Sequence, residues 1–70
     1  MLPFTFKPLW KLLIDRDIKR TELKAAIRLS PTTLAKMGRD EFVAMDVLDK
    51  ICNHLNCRIE DIIEHVHDNK

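Results

Sequence analysis

The chain has 70 residues, 46% hydrophobic and 33% charged, with one glycine, no tyrosine and a formal net charge of +1. A chain of this size buries only about 60% of its unfolded surface, which leaves a thin core and little room for a catalytic cleft beside it. Apolar runs such as Leu12 to Ile14 are far too short to span a membrane or to form a secretion signal, so one soluble, cytoplasmic, all-α domain over residues 1–70 is expected.

Leu2, Phe4 and Phe6 alternate with Pro3, Thr5 and Lys7. That period of two predicts an extended arm over residues 1–7. Pro8 suits the first position of a helix, where a missing N–H costs nothing. The first predicted helix runs from about Pro8 to Asp15. It carries Leu9, Trp10, Leu12, Leu13 and Ile14, too apolar around its circumference for burial on one side alone. Its outer face therefore needs a cover, either the Phe4/Phe6 arm or a second copy of the chain.

Arg16 and Asp17 form a polar link. Ile18 is placed as a hydrophobic staple ahead of Thr21, the expected N-cap of the second helix. Residues 21–37, TELKAAIRLSPTTLAKM, then have the spacing of a helix-turn-helix, with bounds of about 21–38. Leu23, Ala26 and Ile27 line one face of its first helix, and Arg28-Leu29 make a tight turn. Ser30 caps the next helix, Pro31 opens it, and Leu34 and Met37 form its inner face. Gly38 is expected to end it, and residues 38–44 to form a loop.

Val47, Leu48, Ile51, Cys52 and Leu55 make an amphipathic stripe for a fourth helix. Asn56, which tolerates a left-handed conformation, stops it. Ile59, Ile62, Ile63 and Val66 at i, i+3, i+4 and i+7 predict a fifth helix. The tail Asp68-Asn69-Lys70 is expected to fray.

The near-zero net charge conceals a division. Residues 1–39 hold nine basic side chains (Lys7, Lys11, Arg16, Lys19, Arg20, Lys24, Arg28, Lys36, Arg39) against three acids, a net +6. Residues 40–70 hold three basic against eight acidic, a net −5. The basic half contains the helix-turn-helix, which points to a nucleic-acid partner.

Five short helices, the second and third forming a helix-turn-helix, resemble the Cro and phage-repressor type of DNA-binding domain, the xenobiotic-response-element family of bacterial regulators. The likeness covers about Lys7 to Val66. It is most specific over Leu23–Met37 and over LDKICNHLNCRIEDII, residues 48–63, which is similar to the family's closing helix pair. The family commonly has glycine at the turn position held here by Arg28. A left-handed non-glycine residue there costs about 1 kcal/mol.

The resemblance implies a λ-repressor-like fold and a transcriptional regulator, expected to be a repressor, with its third helix in the major groove of an operator. It implies Pro31, Thr32, Ala35 and Lys36 as the base-facing set. Lys36 suits guanine O6 and N7, Thr32 a base edge, and Pro31 and Ala35 a thymine methyl. Phosphate contacts are expected from Lys19, Arg20 and Thr21 at the start of the second helix, from Arg28 and Ser30 around the turn, and from Arg39. A homodimer contacting through Phe4, Phe6, Trp10 and Ile14 would cover the first helix and set two recognition helices about 34 Å apart. The rival arrangement folds the arm back on its own chain and dimerises only on DNA.

Cys52 and Cys57, with His54, His65 and His67 nearby, lack a paired C-x-x-C, so buried reduced thiols are expected rather than a metal site. Glu60, Asp61 and Glu64 follow the spacing of a solvated helix face, and no enzyme, cofactor or small-molecule effector is expected. The alternative function is a protein-interaction module, such as the antitoxin of a toxin–antitoxin pair or an accessory subunit of a larger regulator. An RNA binder would want stacking aromatics that the chain lacks.

Overall fold

A computed structural model describes residues 3–67. Its elements in order are β1 (Phe4–Thr5), α1 (Lys7–Asp15), α2 (Arg20–Ile27), α3 (Pro31–Gly38), α4 (Met45–Leu55), a 3₁₀ turn (Ile59–Asp61) and β2 (Glu64–His65). Leu2 and the tail Asp68-Asn69-Lys70 lie outside the described residues. Among the described residues no helix is long and apolar enough to cross a membrane.

One core joins the elements. Phe6, Leu9 and Leu13 from the first third meet Leu23, Leu29 and Met37 from the helix-turn-helix and Leu48, Ile51, Leu55 and Ile62 from the last third. The spacing of these residues along α1 and α4 is the i, i+3, i+4 periodicity of one-sided burial. Trp10, Leu12, Ile18, Ile27 and Val47 pack around this cluster at partial exposure.

The structure replaces the expected fifth helix with a 3₁₀ turn and a strand. Asp61 N–H bonds to Arg58 O at 3.0 Å and Ile62 N–H to Ile59 O at 3.1 Å, so the turn closes tightly. The Asp61 carboxylate accepts the Arg58 N–H at 3.0 Å. Past that turn the chain meets the N-terminal arm, whose backbone groups need partners. It pairs antiparallel with Phe4 opposite His65 and Thr5 opposite Glu64, and Val66 N–H bonds to Pro3 O at 2.6 Å. The spacing of Ile59, Ile62, Ile63 and Val66 is compatible with a helix, but β-branched residues also suit an extended chain, and the free arm edge decides. Of the arm expected over residues 1–7, Phe4–Thr5 are a strand paired within their own chain, Phe6 is the N-cap of α1 and Lys7 its first residue, while residues 1–2 lie outside the described residues.

The helix starts differ in how they are capped. Ser30 Oγ accepts the Thr33 N–H at 3.1 Å, and Pro31 follows it. The N-cap of α2 is Lys19, two residues before the expected Thr21; its N–H is held by Glu22 Oε1 at 2.9 Å. Ala44 precedes α4 with no side-chain cap. At the helix ends, Asp17 (φ 57°), Arg28 (φ 57°), Asp40 (φ 56°) and Asn56 (φ 51°) are left-handed. Gly38 closes α3 at a negative φ, and Asp40 turns the chain two residues later.

Two long-range bonds set how the pieces meet. Asp40 accepts the Phe6 N–H at 2.9 Å and the Thr5 hydroxyl at 3.2 Å, tying the end of α3 to the start of α1. Arg16 Nη1 donates to the carbonyl of Leu55, where a cation also suits the negative end of α4.

Candidate nucleic-acid interface

The helix-turn-helix is held from behind. Leu23 of α2, Leu29 of the turn and Met37 of α3 are buried together, and Arg28 adopts the left-handed conformation that turns α2 into α3. Two expected core positions differ. Ala26 is exposed, on a shallow groove with Ile27, Arg28, Lys50, Asn53 and His54, and Leu34 is only half-buried. Eight-residue helices present few inward positions, and Leu23 and Met37 occupy them here.

Pro31, Thr32, Ala35 and Lys36 are all exposed and lie on the side of α3 away from Met37. At successive gaps of one, three and one residues, they form a continuous stripe on a helix. The stripe offers one ammonium, one hydroxyl and two apolar contacts, a chemistry suited to base edges in a major groove.

The side chains expected at phosphate stand around both ends of α3. Arg28 and Ser30 stand at its N-terminal end, both exposed. Arg20, Lys36 and Arg39 gather toward its C-terminal end. A methyl built on Gly38 would lie 4.0 Å from Arg20 Nη1, and Arg39 N–H bonds to the Ala35 and Lys36 carbonyls. Lys19 and Thr21 are exposed at the start of α2, where the first N–H groups point outward.

Two of these cations have partners that the residue pattern did not announce. The Arg20 guanidinium lies 3.7 Å from the centroid of the Trp10 ring. Arg39 Nε donates to Glu41 Oε2 at 2.6 Å. That hydrogen bond from Arg39 holds the Glu41 carboxyl below its ordinary range, and the charges of Arg39 and Lys36 act in the same direction. Glu41 is therefore an anion set among the cations of the basic face. Arg39-Asp-Glu41 was the available signal, since adjacent opposite charges in a short loop are within reach of each other.

The residues expected at a dimer contact separate. Phe6 is 1% exposed and belongs to the core, so it is not available to a second copy. Trp10 is half-buried under Arg20, and Ile14 is 76% exposed on α1. Phe4 packs edge-on to Phe42, with ring centroids 6.2 Å apart, at the rim of an apolar groove of about 360 Å³. Phe42 (64% exposed) and Met45 (78%) stand on the same groove with Leu48, Ile59 and Ile63. Among the described residues no cluster of three or more His, Cys, Asp or Glu side chains could hold a metal ion.

Residues 8–68 match the family model described as the Cro/C1-type HTH DNA-binding domain. The crystal structure of the transcriptional regulator VanUg is similar to this chain, at 47% identity and a TM-score of 0.91, covering 94% of this chain and 88% of that one. No curated protein matches the chain at a significant level.

Proposed function

The chain belongs to the Cro/C1-type helix-turn-helix family of DNA-binding regulators, and on that premise we propose how it engages an operator. It inserts α3 into the major groove, with Pro31, Thr32, Ala35 and Lys36 toward the bases. Lys19, Arg20, Thr21, Arg28, Ser30 and Arg39 flank the groove along the phosphates. Acting as one domain in the cytoplasm of a bacterium, it represses by occupying its site.

The observation that carries this reading is the bare stripe on α3, four exposed residues with basic side chains at both ends of the helix. Base contacts then give preference, and phosphate contacts give register and most of the affinity. The stripe is chemically sparse, so DNA shape supplies part of the selectivity.

We place a homodimer contact at the Phe4, Phe42, Met45 and Ile59 surface, in place of Phe6, Trp10 and Ile14. Solvent-exposed phenylalanine and methionine side chains beside one apolar groove form the kind of patch that marks an interface. A two-fold dimer would read an inverted repeat.

Mobility-shift titration against random duplex at several salt concentrations tests the binding mode. Log affinity should fall with log salt at a slope of about −0.9 per phosphate contact. A slope near zero, or no binding at low salt, would overturn it in favour of a protein-interaction module.

A further inference from the structure

We propose that Cys52 and Cys57 are an oxidisable pair that closes to an internal disulfide across the C-terminal cap of α4. Both thiols are free and half-buried. Cys52 lies in the last turn of α4, and Cys57 is the second residue past the helix end. Between them Asn56 is left-handed at φ 51°, ψ 56°, and Cys57 N–H donates to the Cys52 carbonyl at 3.1 Å. Side chains at these two positions of such a helix ending characteristically meet. Here both cysteines pack against the hydrophobic core beside that backbone bond. Any small apolar pair would satisfy the packing; two thiols add chemistry.

The surroundings set an order of attack. Cys52 lines a surface groove with Met45, Leu48, Asp49 and Ile59, open to a small reagent. Burial pushes the Cys57 thiol up, and the Cys52 thiol beside it acts in the same direction, so Cys57 suits the second, intramolecular step. Cys52, as thiolate, attacks one sulfur of a low-molecular-weight disulfide such as oxidised glutathione. That S–S bond breaks, one glutathione leaves, and a mixed disulfide forms on Cys52. Cys57 then loses its proton, attacks the Cys52 sulfur and expels the second glutathione. Two protein thiols are oxidised, one glutathione disulfide is reduced, and the two departing thiolates take up the two protons.

The full-length chain, reduced and folded, is incubated with oxidised glutathione and quenched by alkylation, then digested with trypsin. Cleavage after Lys50 and Arg58 leaves both cysteines in the single peptide Ile51–Arg58. The expected product is that peptide two hydrogens lighter than its reduced form, from a chain of unchanged oligomeric state. The folded chain should close at a glutathione ratio about tenfold more reducing than the chain in concentrated urea. Cys57→Ala, with folding checked by circular dichroism, should stop at a glutathionyl adduct on Cys52; an unreactive Cys52 in the folded variant overturns the order of attack. The parent chain decides the pairing even where the variant does not fold. Retention of both thiols, a persistent mixed disulfide, a link between chains, or equal closure in urea each overturns it.

Discussion

The Asp40 carboxylate accepts the Phe6 backbone N–H at 2.9 Å across 34 residues of sequence. Its second oxygen takes the hydroxyl of Thr5, which is itself buried and accepts the Lys7 N–H at 3.2 Å. The residue that turns the chain out of the recognition helix thus also fixes the start of α1. The arm acts as a strut of the helix-turn-helix.

Replacing Asp40 with alanine should destabilise the fold by about 2–3 kcal/mol, because two donors lose an ionised acceptor. Left-handed strain at a non-Asx residue adds to that loss. Asp40→Asn keeps one acceptor oxygen and the tolerance for that backbone, so its cost should be smaller. Urea unfolding of the three chains measures both differences.

Glu41→Gln should tighten binding to all duplexes. The carboxylate bonds to Arg39 and lies within the field of Lys36, so its removal frees about one cation for phosphate. The salt slope should steepen by about 0.9. The sign with pH agrees. The Glu41 carboxyl is held below its ordinary value, so the pair persists above the carboxylate range and is lost as pH falls through the lowered value. Mobility shift at neutral pH across a salt series checks the slope.

Arg20→Ala should act on two properties at once. It removes a guanidinium from over Trp10, worth about 0.5–1 kcal/mol of stability at an exposed site. It should also remove the phosphate contact proposed for Arg20, flattening the salt slope by about 0.9. Lys19→Ala, which lacks the aromatic partner, should change the slope with little change in stability, and thermal melts beside the titration separate the two effects.

Lys36→Ala should relax preference at one base pair and cost about 1–3 kcal/mol on the preferred site. Site selection from a random duplex pool reads this directly. An unaltered preference with a flatter salt slope would reassign Lys36 to phosphate.

Phe42→Ser combined with Met45→Ser should abolish self-association while leaving the fold intact, since both side chains are largely exposed in the monomer. Sedimentation equilibrium compares the two chains. A parent chain that stays monomeric at high micromolar concentration would remove the dimer from solution.

Local devices were legible in the residues. Ser30-Pro31 at the start of α3, the tight turn at Arg28-Leu29 and the stop at Asn56 depend on neighbours a few positions away, and all three are present. What was not legible depends on partners distant in sequence. Glu64–His65 form a strand because Phe4–Thr5 lie beside them, and no local periodicity carries that information. Phe6 follows the same rule. Its alternation with Phe4 is real, but α1 begins one residue after it and turns it into the core. At the interface, residue type and helical spacing identified exposed positions on α3; they did not reveal that Glu41 and Trp10 occupy two of the cations.

Each of the four helices leaves through a left-handed residue that is not glycine, Asp17, Arg28, Asp40 and Asn56 in turn. Three are Asx residues, which bear that conformation well; Arg28 is not. A corner built this way makes backbone geometry and surface chemistry a single heritable trait. Exchanging Arg28 for glycine would release about 1 kcal/mol of left-handed strain and in the same step delete a cation from the proposed DNA face. On the proposed binding mode, a glycine that relaxed this turn would also weaken the grip on phosphate, so the strain at Arg28 would be a compromise between durability and binding.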